Sequence, residues 1–209
     1  MVDPQAIKAA NIEILRSWDV PTIDHLPTLE EEADLSPPAA IDVARRCVVL
    51  NHVIGIGFGG HAPTLAEALD RWDLMSYASD RERDLFSRGE HTDQEKINAT
   101  WQVECMQSFA WCLGLADLKV FDGCDDDLAT KFPGPFVDPR PFIESARLRP
   151  FVEIYEQADL HYRIHWAARS ARLEGTEFIV PEGFVGERRK ALDWVIGVES
   201  DWDEVPSDT

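Results

Sequence analysis

Residues 150–175 read Pro150-Phe-Val-Glu-Ile-Tyr-Glu-Gln-Ala-Asp-Leu-His-Tyr-Arg-Ile-His-Trp-Ala-Ala-Arg-Ser-Ala-Arg-Leu-Glu-Gly175. No Pro or Gly interrupts this run between its ends, so it predicts one long helix from Pro150 to Leu173 stopped by Gly175. Tyr162, His165, Trp166, Arg169 and Leu173 recur at helical spacing. An ordinary amphipathic helix would place Leu or Val on such a stripe. His165 and Arg169 stand there instead, and burying either without a partner costs roughly 1–3 kcal/mol. Either the chain pairs these groups or a ligand does.

The same grammar extends outward. Thr92 to Leu115 predicts another long helix, opened by Thr92-Asp-Gln-Glu95 in a capping-box pattern. Its stripe, Ile97, Trp101, Glu104, Ser108, Trp111 and Leu115, carries a carboxylate between tryptophans. Further helices are predicted over Pro4 to Ser17, Pro63 to Met75, Asp80 to Arg88 and Gly183 to Gly197. One more opens at Ser36-Pro-Pro, with Ser36 as N-cap, and runs to about Ile54. Asp122 to Pro141 reads as loop with one short helix after Cys124, and Thr176 to Val180 as one isolated strand. The fold class is all-α: a single compact domain over 1–209 of about seven or eight helices with irregular loops. Residues 1–35 form an N-terminal helix and acidic connector, and residues 200–209 an acidic C-terminal tail.

Composition narrows the function. The chain has 209 residues, 44% of them hydrophobic, seven tryptophans and a formal net charge of −19. Nucleic acid is disfavoured as a partner, because phosphate binding needs clustered Lys and Arg. An anionic membrane surface is disfavoured for the same reason, and no apolar run approaches the roughly 18 residues of a span. The opening Met-Val-Asp-Pro-Gln lacks a signal-peptide pattern. The four cysteines, Cys47, Cys105, Cys112 and Cys124, include no C-x-x-C pair. A cytoplasmic protein with reduced thiols is expected, and an acidic surface favours a basic protein partner.

Three motifs invite chemistry weakly. Gly55-Ile-Gly-Phe-Gly-Gly60 satisfies G-x-G-x-x-G, yet a predicted helix precedes it where a dinucleotide site needs a strand. Glycine in a flexible loop explains it more simply. His161 and His165 share one helix face as paired metal ligands would, with no third ligand in view. Asp122-Gly-Cys-Asp-Asp-Asp127 is dense in carboxylates but lacks calcium-loop spacing. No cofactor is expected.

The stronger constellation gathers Arg163, His165, Trp166, Arg169, Glu104, Glu187 and Arg188, with Arg45 and Arg46 as further members. One reading is an internal salt-bridge network that fixes helix registry. Another is an arginine-lined pocket with aromatic walls for a small anionic ligand. A third is catalysis, with Glu104 or Glu187 as base and His165 as acid or base. Asp201 and Asp203 flank Trp202, which is expected to dock the tail onto the body while both acids meet arginines.

One ordered set of short segments runs through Ile14-Leu-Arg-Ser-Trp-Asp-Val-Pro21, Leu26-Pro27, Val43-Ala-Arg-Arg46, Ile97-Asn98, Trp101, Glu104, Trp111-Cys-Leu-Gly-Leu115 and Cys124-Asp125. It continues through Leu160 to Leu173, Glu187-Arg188, Ala191-Leu192, Trp194 and Asp201 to Thr209. In this set the chain resembles the bacterial domain of unknown function 4272. Gln102 departs from the family pattern, which has Arg there, and so does His161, where an apolar or aromatic residue is usual. The family implies a compact helical protein and brings no established activity. The expectation is a non-enzymatic interaction or accessory module, with the anionic-ligand binder or hydrolase-like enzyme as alternative.

Overall fold

A computed structural model describes residues 2–206; Met1 and the closing Ser207-Asp208-Thr209 lie outside the described residues. Among the described residues the regular structure is helical throughout, with no strand. The α-helices are α1 (Pro4–Ser17), α2 (Ala40–Gly57), α3 (Ala62–Asp70), α4 (Asp80–Ser87), α5 (Asp93–Trp101), α6 (Val103–Cys112), α7 (Arg140–Ser145), α8 (Phe151–Glu174) and α9 (Glu182–Ile196). Because α5 and α6 are the two halves of the predicted Thr92–Leu115 helix, the expected all-α fold of seven or eight helices holds. No described helix is long and apolar enough to cross a membrane.

The chain groups into two compact units. Residues 2–38, 149–200 and 204–206 build the first, containing α1, α8 and α9. Ala39–Leu148 with Asp201–Asp203 build the second, containing α2 to α7.

In the first unit α8 packs mainly on α9 and also on α1. It starts after Pro150 and ends at Gly175, whose φ of 69° suits a left-handed cap. Thr176 N donates to the Ala171 carbonyl to close that cap at 2.8 Å. The predicted strand after it is absent: Thr176 to Val180 is loop, since the all-helical neighbourhood offers no edge to pair with. α9 ends at Gly197, where φ is 85° and a Cβ would sit 2.2 Å from the Ser36 carbonyl carbon. Only glycine suits that position. Ser36 N donates to the Gly197 carbonyl at 3.1 Å, which ties the acidic connector to the end of α9.

Ser36 therefore does not cap α2. That helix opens after Ala39, with extended backbone and no side-chain cap. Pro37 and Pro38 hold the residues before them out of the helical region.

In the second unit α2 is the hub, touching α5, α3, α6 and α7. A Cβ on Gly57 would lie 2.8 Å from Thr100 and 2.9 Å from the Lys96 carbonyl, so this glycine sets how closely α5 approaches. Gly55 and Gly57 belong to α2 itself. G-x-G-x-x-G is thus a helix end, with only Gly59 at positive φ (89°).

The long predicted helix breaks at Gln102, which ends α5 and begins α6. The break rotates the register and dissolves the expected stripe: Glu104 and Ser108 are buried, while Ile97, Trp101 and Leu115 are substantially exposed. The stripe on α8 is also incomplete, since Leu173 is exposed. α4 and α5 both begin with full capping boxes, Ser79 with Glu82 and Thr92 with Glu95. α7 begins at the end of the Asp122–Pro141 stretch read as loop and runs beyond it, too short to show a period.

Candidate functional site

The first unit carries the densest polar interior. Arg163 is buried on α8 and grips Asp159 one turn earlier, Nε to Oδ2 at 2.9 Å and Nη2 to Oδ1 at 2.5 Å. Asn11 of α1 adds a hydrogen bond to Asp159 Oδ2 at 2.9 Å and another to the Glu156 carbonyl at 3.0 Å. Arg163 Nη2 also reaches the Pro27 carbonyl at 3.2 Å, and the Tyr155 hydroxyl donates to the Glu30 carbonyl at 2.8 Å. Buried charge is thus used to pin the N-terminal connector onto α8. Breaking such a pair leaves an uncompensated ion in a weak dielectric.

α9 repeats the device. Arg189 Nε donates to Asp193 Oδ2 at 2.9 Å, again one turn apart, and its Nη1 donates to His165 Nδ1 at 3.2 Å. The guanidinium lies 4.7 Å from the Tyr162 ring centroid. Burial raises the Asp193 carboxyl to about 7 against the opposing pull of Arg189.

His165 accepts from a cation and is buried, so its pKa falls to about 4, by desolvation first and Arg189 second. Its Nε2 lies 3.9 Å from Glu182 Oε1, and Glu182 is itself held by Arg172. Gly186 of α9 faces this ring, and a Cβ there would rest in ordinary van der Waals contact, 3.5 Å from His165 Nε2.

His161 donates Nδ1–H to the Gln157 carbonyl at 2.8 Å. Its Nε2 is buried without a hydrogen-bond partner, and burial lowers its pKa to about 4. Both rings are neutral at pH 7. No three His, Cys, Asp or Glu side chains among the described residues converge as a metal site would require.

Arg188 is fully buried, its guanidinium 4.2 Å from the Phe184 centroid, and Glu187 beside it is half-buried. Trp166 and Arg169 are half-buried. Trp166 faces a surface groove of about 500 Å³ together with Asp19, Ser170, Glu174, Glu177 and Phe178. None of the groove's lining residues is cationic.

Glu104, expected in the same cluster, belongs to the second unit. It is buried on α6 and accepts a hydrogen bond from Cys124 N at 3.2 Å. Gln107, one turn on, accepts from Asp125 N at 2.9 Å and donates to the Asp117 carbonyl at 2.7 Å. The Asp122–Asp127 run is therefore laced to α6 by backbone hydrogen bonds.

Arg46 and Glu82 form a buried ion pair, and Glu82 also accepts from Ser79 N at 2.8 Å within the α4 capping box. Trp202 of the tail is buried against this pair, 4.9 Å from the Arg46 guanidinium and 5.8 Å from the Phe109 ring. Asp203 Oδ2 accepts from Arg81 N at 3.0 Å. A carboxylate is favourable at that positive helix end of α4. Asp201 accepts from Asp203 N at 2.9 Å and is exposed. Trp202 is thus docked as expected, and Ser207 to Thr209 lie outside the described residues.

A second concavity was not legible in the sequence. A cleft of about 460 Å³ in the second unit lies among Ile54, Phe58, Val103, Met106, Leu128 and Phe132, with Asn51, Asp125 and Asp126 as polar lining. These residues come from three separated stretches, and no periodicity links them. The four cysteines form no disulfide among the described residues, and burial pushes the Cys47 thiol upward, away from reactivity.

No curated protein and no solved structure matches this chain. The chain does match the family described as Domain of unknown function (DUF4272) over residues 7–205, nearly its whole length, and it belongs to that family.

Proposed function

We propose that this chain is a non-enzymatic interaction module whose acidic surface receives a basic protein. One observation carries this reading: among the described residues, the buried ions are Arg46, Arg163, Arg188 and Arg189 against Glu82, Glu104, Asp159 and Asp193. The buried formal charges cancel, four against four, so the excess of negative charge among the described residues lies outside the core. Exposed carboxylates such as Glu30, Glu31 and Glu177 outnumber the cations left to screen them. A field of that sign speeds encounter with basic proteins and rejects acidic ones.

The anion-clamp alternative has less support. Of its clamps Arg163, Arg169 and Arg188, Arg163 already holds Asp159, Arg188 is fully buried against Phe184 and Arg169 is half-buried, so an anionic ligand at Arg163 would first have to displace a buried carboxylate.

The test is recovery of a partner on the immobilised chain from its host's lysate, followed by affinity measurement with the purified pair. The partner is expected to be basic, with affinity falling at least about tenfold between about 50 and 300 mM salt. Binding indifferent to salt, or the absence of any basic partner, defeats the proposal.

A further inference from the structure

We propose that the cleft of the second unit binds a small organic cation with an apolar body, such as an aromatic or alkyl amine. Its volume of about 460 Å³ falls in the range of small-ligand sites. The walls are apolar: Ile54 and Phe58 from the end of α2, Val103 and Met106 from α6, Leu128 and Phe132 from the 3₁₀ turn Leu128–Lys131 and its cap. Phe58 stands 74% exposed at the lip, an aromatic face that a ligand would cover. Met106 lies behind the wall, almost fully buried, as a flexible apolar filler.

Charge selects the ligand's polar end. Asp125 and Asp126 line the cleft, and none of its lining residues is a Lys, Arg or His. Asp125 is fixed from both sides by Gln107, whose Oε1 accepts from Asp125 N at 2.9 Å and whose Nε2 donates to Oδ2 at 3.3 Å. Asp126 is exposed and forms no ion pair among the described residues. Carboxylates above low-dielectric walls focus a negative field into the cleft, which attracts an ammonium and repels an anion. This site is independent of the proposed protein partner, because binding here requires only the second unit's own residues.

Three probes of one shape test it: 4-phenylbutylamine, 4-phenylbutanol and 4-phenylbutanoate, titrated by calorimetry and mapped by amide chemical shifts. The amine is expected to bind, perturbing Met106, Leu128 and Ala129, with the carboxylate at least about tenfold weaker. Ala129→Trp fills the cleft from an exposed lining position and should abolish binding while leaving Tm unchanged. Asp126→Asn should weaken the amine by up to about fivefold and leave the alcohol unaffected. Equal binding of the three probes overturns the charge selection. Amine binding that survives Ala129→Trp, or no binding by any probe, overturns the site.

Discussion

Helix α8 and the broken helix α5–α6 were read from sequence as the same object, a tryptophan stripe carrying a buried charge. They solve the burial of polar groups in opposite ways. On α8 two answers lie along the helix itself, Arg163 reaching back to Asp159 and His161 to the Gln157 carbonyl, while His165 is met by Arg189 of the neighbouring α9. α8 can therefore run as 24 unbroken residues with most of its faces covered. On α6 the buried Glu104 and Gln107 look outward to the backbone of a loop, at Cys124, Asp125 and Asp117. Polar groups in the first case fix helix packing, and in the second they shape a loop that walls a cleft.

The largest expected effect breaks the α8 device. Asp159→Ala strands Arg163 and should cost about 3–5 kcal/mol in urea denaturation. A double variant, Asp159→Leu with Arg163→Met, should recover most of that loss, because two apolar groups need no partner. A loss below about 1 kcal/mol for the single variant would mean the pair is solvated, erasing the contrast with α6.

Next comes pH. His161 and His165 have folded pKa values lowered to about 4 from 6.5. The unfolded chain therefore binds more protons between those limits, and the histidine contribution to stability falls as pH drops from 6.5 to 4. Asp193, raised from 3.8 to about 7, acts with the opposite sign: its contribution is present at low pH and lost as pH rises toward 7. Comparison with His161→Leu isolates the share of His161. The variant should lose a slope worth on the order of 2–3 kcal/mol across that interval. An unchanged slope would show that His161 is hydrated in the native state.

The smallest effect concerns α6. Gln107→Ala should lower stability by about 1–2 kcal/mol and speed hydrogen exchange at the Asp125 amide, with helix content intact. If exchange there is unaltered, the loop holds its shape without α6.

The fold class was legible because helical period, caps and terminators are local signals. Gly175 and Gly197 end α8 and α9 as expected, and Thr92 with Glu95 caps α5. Ser36 misled, because two prolines following a good N-cap residue impose extended backbone. The break at Gln102 misled more. A stripe is read on the assumption of continuous winding, and one irregular residue re-aims everything after it.

The candidate residues divide along the same line. That Glu104 and His165 are anomalous was visible from their spacing among apolar neighbours, because spacing on a helix determines which residues share a face, whereas Arg169, marked by the same stripe, is only half-buried. Their partners were not visible. Asp159 and Asp193 sit one turn from their arginines, but whether a neighbouring carboxylate is engaged depends on rotamers chosen by packing. The cleft beside Asp126 was beyond reach altogether, since it exists only where the end of α2, α6 and a distant 3₁₀ turn meet. Composition and local pattern determined an acidic all-helical chain with charges in its interior. Tertiary structure alone decided which charges meet and where a hollow remains, because both depend on contacts between residues far apart in sequence.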